Sequence, residues 1–246
     1  MRERVHIGTS GWSYKQWRGL YYPQKLATAK WLAFYAEDFE VTEINSSFYR
    51  LPTEDTVMNW TTQVPKDFLF CAKMSRFLTH MKKLNDPEDA LDRFFEVFTH
   101  MKNMMGPVLV QLPPMLAFNY DKAEYFYSLL KKKFREYSFV MEVRHETWMK
   151  EQSLTLMSKY DIGLVISQSG SRFPYSEIIT AKNIYVRFHG PEELYASRYT
   201  DKMLENFADK FYRWLREGHE IWAFFNNDVH CYAPEDAKRL MMLMEK

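Results

Sequence analysis

The stretch that decides the fold runs from IYVRFH (Ile184–His189) through TDKMLENFADKFYRWLREG (Thr200–Gly218) to IWAFFN (Ile221–Asn226). Its outer segments are short, apolar and partly β-branched, which is typical of strands buried on both faces. Between them a threonine can cap a helix, and a glycine can end it. Apolar side chains recur on one face of that helix, at Leu204, Phe207, Phe211 and Leu215. The stretch therefore predicts a strand–helix–strand unit with parallel strands.

Strand segments of this kind occur eight times along the chain, each followed by a turn and, in most cases, by a helical stretch. They lie near Val5–Ser10, Val41–Ser46, Phe68–Lys73, Val108–Leu112, Phe139–Arg144, Gly163–Gln168, Ile184–His189 and Ile221–Asn226. This alternation predicts an α/β fold, a (β/α)8 TIM-type barrel that forms a single domain over residues 1–246.

The helices between the strands carry their own boundary signals. Asp86 is the predicted N-cap of one helix, and Gly106 is its predicted end. Further helices are predicted to begin near Thr28, Pro52, Asp121, Thr200 and Pro234. The segment Ser169–Ala181 shows little helical periodicity.

Composition limits the class of protein. The formal net charge of +1 gives no global attraction for nucleic acid or for an acidic membrane, so binding to either needs a local patch. Cys71 and Cys231 are the two cysteines, which favours a reducing compartment without disulfides. No signal-peptide core or membrane-length apolar run is evident, so we expect a cytoplasmic protein.

Polar and ionisable residues interrupt the apolar strands near their carboxyl ends. They are Glu43, Asn45, Lys73, Gln111, Glu142, Arg144, Arg187, His189, Asn226 and Asp228. Residues two apart on a strand face the same side, so if that side is the inside, these groups meet at the barrel mouth, where barrel enzymes build their sites. The alternative is that they face the helices and form structural ion pairs.

Several motifs resemble those of the YecE-like family, domain of unknown function seventy-two. They are GTSGWSY (Gly8–Tyr14), WRGLYYP (Trp17–Pro23), EINSSFY (Glu43–Tyr49), PKDFLFCAK (Pro65–Lys73), QLPP (Gln111–Pro114), EVRHETW (Glu142–Trp148), YVRFHG (Tyr185–Gly190) and FFNND (Phe224–Asp228). The resemblance covers essentially the whole chain and implies a (β/α)8 barrel, but it implies no agreed reaction. Gln168 departs from it, since many relatives carry an acidic residue near this place, and this speaks against any role that needs a carboxylate there.

Three residues are candidates for acid–base catalysis. Glu142 and Glu43 are the carboxylates, and His189 is the proton carrier. Burial would raise the pKa of Glu142 and make it a general base, whereas Arg144 would oppose that shift by pairing with it.

The expected ligand is a small anion. Arg144 and Arg187 offer forked donors for a carboxylate or phosphate, Lys73 offers a point charge, and Arg187 is expected to be a main contact. Asn45, Gln111, Asn226 and Asp228 complete the polar substrate-binding set. Aromatic candidates for contacting the ligand are Trp12, Tyr14, Tyr195 and Tyr199. Alternatively, the carboxylates neutralise the cations, and the rings only pack the loops against the barrel.

No cofactor motif is present, and we predict no metal. Glu43, Glu142, His189 and Asp228 could form a carboxylate–imidazole metal set, but neighbouring cations disfavour it. Gly8 and Gly11 are too few glycines to form a dinucleotide-binding or phosphate-binding loop.

The sequence favours an enzyme, a hydrolase, lyase or isomerase acting on a phosphorylated or carboxylated small molecule by acid–base chemistry at the barrel mouth. It leaves two alternatives: a barrel that binds nucleic acid or processes phosphodiesters, which the near-neutral charge disfavours, and a ligand-binding protein without catalysis.

Overall fold

The strands of the protein are all parallel in a computed structural model, which describes residues 4–245. In this part of the chain they are β1 (Val5–Thr9), β2 (Val41–Ile44), β3 (Leu69–Ala72), β4 (Val108–Gln111), β5 (Phe139–Glu142), β6 (Ile162–Leu164), β7 (Ile166–Gln168), β8 (Asn183–Phe188) and β9 (Glu220–Phe225). The prediction of a single-domain α/β fold with parallel strands is confirmed.

The strands form two sheets. Six follow the order β3-β2-β1-β9-β8-β7, and three follow the order β4-β5-β6. Isolated parallel bridges join Phe70 to Met105 and Lys73 to Leu109, which puts the β3 and β4 segments side by side. One residue, Val165, separates β6 from β7. The strands therefore form two parallel sheets, which meet at β3 and β4 and again where Val165 joins β6 to β7.

The predicted sixth strand is divided because a side chain takes over part of its ladder. The Thr180 hydroxyl donates to the carbonyl oxygen of Ile162 at 2.7 Å and accepts from the amide of Leu164 at 2.7 Å. These two backbone groups would otherwise bond the neighbouring strand. As a result β6 pairs with β5 alone, and β7 pairs with β8.

Helices connect most of the strands. They are α1 (Trp31–Tyr35), α2 (Ser46–Tyr49), α3 (Glu54–Thr62), α4 (Glu88–Phe98), α5 (Tyr120–Lys133), α6 (Glu151–Lys159), α7 (Asp201–Arg216) and α8 (Tyr232–Leu243). The Thr200 hydroxyl caps α7, and Gly218 follows that helix with φ +95°, as predicted. Residues 169–181, expected to be weakly helical, contain no helix.

The predicted boundaries of α4 are wrong at both ends. Asp86 has φ +38°, and Pro87, which makes no side-chain cap, immediately precedes the helix. The α-helix stops at Phe98, and a tighter 3₁₀ segment (Thr99–Met104) leads towards Gly106.

No helix within residues 4–245 is both long and apolar enough to cross a membrane.

The inner faces of the strands share one small apolar cluster. Its buried members are Val41, Cys71, Leu109, Val140, Val165, Tyr185, Trp222 and Phe224. A larger apolar cluster fills the space between the strands and the helices. Polar residues follow members of the inner cluster by two positions, as Glu43 follows Val41 and Arg187 follows Tyr185. Because the side-chain period of a strand is two, these polar residues lie on the same inner face, one layer nearer the carboxyl ends.

Candidate functional site at the carboxyl ends of the strands

A buried arginine lies at the centre of the polar layer. The Arg187 side chain on β8 is 2% exposed, and it bridges the carboxylates of β2 and β5. Its Nη2 donates to Glu43 Oε1 at 2.6 Å, its Nε to Glu43 Oε2 at 3.1 Å and its Nη1 to Glu142 Oε2 at 2.7 Å. The Tyr185 hydroxyl also donates to Glu43 Oε2, at 2.8 Å. Nearly all donors of Arg187 are thus engaged by the protein itself.

Glu142 is the most heavily bonded carboxylate of this layer. Its Oε1 accepts from Arg144 Nη2 at 2.8 Å, from His189 Nε2 at 2.9 Å and from Ser167 Oγ at 2.9 Å. Burial alone would raise the pKa of Glu142, but the two arginines and His189 outweigh it and hold that pKa well below its ordinary value. Of the two outcomes foreseen for Glu142, pairing with Arg144 prevails, and the rise in pKa is wrong. An ionised carboxylate of such low basicity makes a poor general base near neutral pH.

His189 is held as a neutral imidazole. Burial lowers the pKa of His189 to about 4, although the hydrogen bond to Glu142 opposes this shift. Since a carboxylate can only accept, Nε2 carries the proton, and Nδ1 accepts from the Asn226 amide nitrogen at 3.0 Å. Its partners therefore fix the tautomer of His189, and it does not titrate near neutral pH.

A pocket of about 420 Å³ opens above this layer. It is lined by Gly11, Trp12, Ser13, Tyr14, Asn45, Ser46, Tyr49, Lys73, Gln111, Arg187, Tyr195, Asn226 and Asp228. The other predicted site residues, Glu43, Glu142, Arg144, His189 and Tyr199, do not line it. Glu43 and Glu142 lie beneath the pocket and bind the lining residue Arg187. His189 binds the lining residue Asn226 in the same way. Strand-end reasoning missed Ser13, Ser46 and Tyr49, although the loop motifs GTSGWSY and EINSSFY contain them.

Lys73 is a buried cation in the lining of the pocket. It is 8% exposed, its Nζ donates to Gln111 Oε1 at 2.6 Å, and the ammonium lies 4.3 Å from the Phe48 ring centre. Within residues 4–245 no carboxylate forms an ion pair with it. Burial, reinforced by Arg187, lowers the pKa of Lys73 to about 7, against the pull of Glu142 and Glu43.

Two further polar groups of the pocket are also incompletely satisfied. Burial raises the pKa of the Asp228 carboxyl to about 6. Asn45 donates its amide to the carbonyl oxygen of Ser10 at 2.8 Å, and its buried Oδ1 has no hydrogen-bond partner among the described residues. The pocket therefore offers a cation, an acid of raised pKa and a free acceptor.

The aromatic candidates divide into lining and packing residues. Trp12 lines the pocket while packing edge-on against Trp60, with ring centres 5.4 Å apart. Tyr14 also lines it, and its hydroxyl is bonded to the carbonyl oxygen of Ser10. Tyr199 is buried: its hydroxyl accepts from the Gly190 amide at 3.0 Å and donates to Gln168 Oε1. Gln168 and Tyr199 thus hold the loop between β8 and α7 in place.

No group of three or more His, Cys, Asp and Glu side chains within residues 4–245 is arranged to hold a metal ion. The carboxylates of Glu43 and Glu142 face the Arg187 guanidinium instead.

Solved structures share this architecture. A DUF72 family protein from Thermotoga maritima superposes with a TM-score of 0.86 and 26% identity, over 98% of this chain and 99% of that one. A second, from Enterococcus faecalis, has a TM-score of 0.83 at 17% identity, over 98% of this chain and 96% of its own, which speaks for the fold alone.

Sequence relatives agree. YunF of Bacillus subtilis is 23% identical, over 98% of this chain and 95% of its own length. YecE of Escherichia coli is 24% identical, over 85% of this chain and 82% of its own length. Residues 6–246 match the family described as "Protein of unknown function DUF72". The chain belongs to the DUF72 family.

Proposed function

We propose that the pocket binds a small molecule bearing a carboxylate or a phosphate and transfers a proton to or from it. We further infer that the two sheets are arcs of one (β/α)8 barrel, with this pocket at its mouth. The strand order supports this, because joining β3 to β4 and β6 to β7 places all strands in cyclic sequence. Barrel enzymes carry their sites at this end.

The observation that carries the proposal is Lys73. A buried ammonium without a carboxylate partner is costly, and its low pKa expresses that cost. A bound anion would supply the missing partner and raise the pKa of Lys73 again. We therefore assign the direct contact with the anion chiefly to Lys73, with Asn45, Gln111 and Asn226 as polar neighbours in the lining.

Arg187 has a different part in this proposal from the one expected for it. Its guanidinium is already bound to Glu43 and Glu142, so only the edge that reaches the pocket is available to a ligand. It acts as a positioning residue: it bridges both carboxylates beneath the pocket, and its positive charge helps to lower the pKa of Lys73.

The proton-transfer group is Asp228. Its pKa of about 6 lies close to neutral pH, where a carboxyl group can both give and take a proton. It lines the same pocket as Lys73, whose ammonium holds the anion. Glu43 and Glu142, the catalytic candidates of the sequence, would instead anchor Arg187 beneath the pocket.

A thermal-shift panel of phosphorylated and carboxylated metabolites tests the proposal. A ligand at about a hundred times its dissociation constant adds roughly 2.7 kcal/mol of stability, which for a chain of this size raises the melting temperature by several degrees. The shifts should weaken as the pH rises above about 7, where Lys73 loses its charge. Lys73→Met should abolish them, whereas Lys66→Met, at an exposed lysine, should not. A panel without hits would refute anion binding, and hits that survive in Lys73→Met would refute the assignment of the contact to Lys73. Binding without turnover of any hit would favour a ligand-binding protein.

One observation favours nucleic-acid binding as a second candidate. A cleft of about 610 Å³ shares Tyr49 with the mouth pocket and is lined by Arg50, Arg76 and Arg93. Within residues 4–245 none of these three forms an ion pair. Phe77 in the cleft is 50% exposed, and such rings can stack on bases.

Retention of a single-stranded oligonucleotide at increasing salt tests this candidate. Three phosphate contacts predict that log K falls by about 2 for each tenfold rise in salt. Changing all three cleft arginines to Gln should remove that dependence. The matched control changes Lys131, Lys132 and Lys133, at the end of α5, to Gln. Equal loss in both variants would mean nonspecific charge attraction and would count against the cleft.

A further inference from the structure

Arg144 is a buried cation, and two of its donor nitrogens have no hydrogen-bond partner among the described residues. Its side chain is 3% exposed, and its Nη2 donates to Glu142 Oε1 at 2.8 Å. Its Nε and Nη1 are buried without a hydrogen-bond partner among the described residues. Leaving charged donors unpaired is expensive, which is the usual mark of a position that something else completes.

The Phe173 ring covers this guanidinium. Its centre lies 3.2 Å from Arg144 Cζ, and the residue is half-buried in the helix-free segment 169–181. The backbone amide of Phe173 donates to Ser169 Oγ at 3.2 Å, so a hydrogen bond anchors the turn beneath the ring.

The covered cation adjoins the mouth pocket. The Phe173 ring packs edge-on against His189 at 5.5 Å between ring centres, and Tyr195, which lines the pocket, packs against the same imidazole at 5.6 Å. His189 and Arg144 also share the oxygen Glu142 Oε1. Moving the Phe173 ring would therefore extend the pocket on the side of Tyr195.

We propose that Arg144 is a second anion subsite, opened when an anionic group of the ligand displaces the Phe173 ring. The ligand is then a molecule with two anionic groups, one at Lys73 and one at Arg144. A carboxylate or phosphate oxygen would accept from Nε or Nη1 and would replace a cation–π contact by charge-assisted hydrogen bonds. This inference rests on the proposed function, because Lys73 holds the first group.

Calorimetry with a series of dicarboxylates, from malonate to adipate, and with acetate as the single-charge control tests the subsite. One chain length should bind at least about tenfold more tightly than acetate, which is what one added charge-assisted contact can contribute. Arg144→Gln should reduce the binding of that dicarboxylate to the level that acetate shows with the same variant. Lys73→Met should weaken both ligands.

A second measurement reports on Arg144 without any ligand. Phenylglyoxal modifies accessible guanidinium groups, and peptide mass spectrometry locates the modified arginine. Arg144 should react slowly in the wild-type protein, at least about tenfold faster in Phe173→Ala, and not at all in Arg144→Gln, while the exposed Arg135 reacts equally in the first two.

The outcomes separate the two proposals. If neither acetate nor any dicarboxylate binds, the proposed function fails, and unchanged labelling of Arg144 in Phe173→Ala then overturns the cover as well. If acetate binds but no dicarboxylate binds better, or the advantage survives in Arg144→Gln, the subsite is overturned and the pocket proposal stands. An advantage that appears only in Phe173→Ala also overturns it, because the ring is then a permanent plug.

Discussion

The floor of the mouth pocket consists of Glu43, Glu142, Arg187 and His189, and its wall includes Lys73. Both contain ionisable side chains, but those of the floor have many more hydrogen-bond and ion-pair partners. In the floor, Arg187 meets two carboxylates, and Glu142 meets two arginines, an imidazole and a hydroxyl. In the wall, Lys73 has one hydrogen-bond partner, the neutral Gln111, and lies over the Phe48 ring. A matched buried network holds a structure in place, whereas an unmatched polar group is costly until a ligand arrives.

This difference assigns opposite roles to two cations that look alike in the sequence. Each lies near the carboxyl end of a strand, on the inner face. Arg187 is expected to contribute mainly to stability and Lys73 mainly to binding. The predictions below test that division, beginning with the largest effect.

Arg187→Met should strongly destabilise the protein. It leaves Glu43 and Glu142 buried without their shared cation, which typically costs about 3–5 kcal/mol when one partner of a buried pair is removed. The corresponding fall in melting temperature is roughly 6–20 °C for a chain of this size. Urea denaturation measures the loss in free energy of unfolding, and Arg135→Met, at an exposed position, is the control.

Adding Glu43→Gln to Arg187→Met should recover part of this loss, because it removes one of the stranded charges. A loss below about 1 kcal/mol in Arg187→Met would contradict the division, since it would place the arginine among the weakly coupled surface pairs.

Lys73→Met should stabilise the protein, in contrast to Arg187→Met. At pH 6 the wild-type protein holds a buried, protonated ammonium, so replacing it should raise the free energy of unfolding by about 1–2 kcal/mol, reduced by the lost bond to Gln111. The measurement is urea denaturation at pH 6 and pH 9, with Lys66→Met as the control.

The pH dependence sharpens this test. The pKa of Lys73 falls from 10.5 in the unfolded chain to about 7 in the fold, so between these values the unfolded chain binds the extra proton. Stability should therefore rise with pH across that window in the wild type, by an amount on the order of a few kcal/mol, and this rise should be absent from Lys73→Met. A rise of equal size in both proteins would mean that another group causes it.

The sequence predicts the strands and their polar ends well because both depend on local patterns. Every predicted strand has a counterpart, and the alternation along β2 and β8 correctly places Glu43 and Arg187 on one face. The sequence does not predict the split at Val165, because the split depends on hydrogen bonds between the Thr180 hydroxyl and the backbone of β6.

Partnership across strands is the other part that local patterns miss. Arg187 and Glu43 are 144 residues apart in the chain, and no spacing rule indicates that they meet while Lys73 finds only Gln111. The direction of the pKa shift of Glu142 follows from those partners and not from its strand. Loop residues such as Ser13 and Tyr49 enter the pocket through turns that carry no strand period.

The smallest expected effect concerns Gln168, where the chain departs from the family resemblance. Its Oε1 accepts a hydrogen bond from the Tyr199 hydroxyl, and a carboxylate can accept the same hydrogen bond. Gln168→Glu should therefore change the free energy of unfolding by less than about 1 kcal/mol at pH 7, and it should leave anion binding intact. Gln168→Leu, which removes the acceptor and leaves the buried hydroxyl unpaired, should cost about 1–3 kcal/mol. If Gln168→Glu instead abolished the anion-induced shift in melting temperature, residue 168 would belong with the unmatched wall that receives the ligand, and the boundary between floor and wall would have to move to include β7.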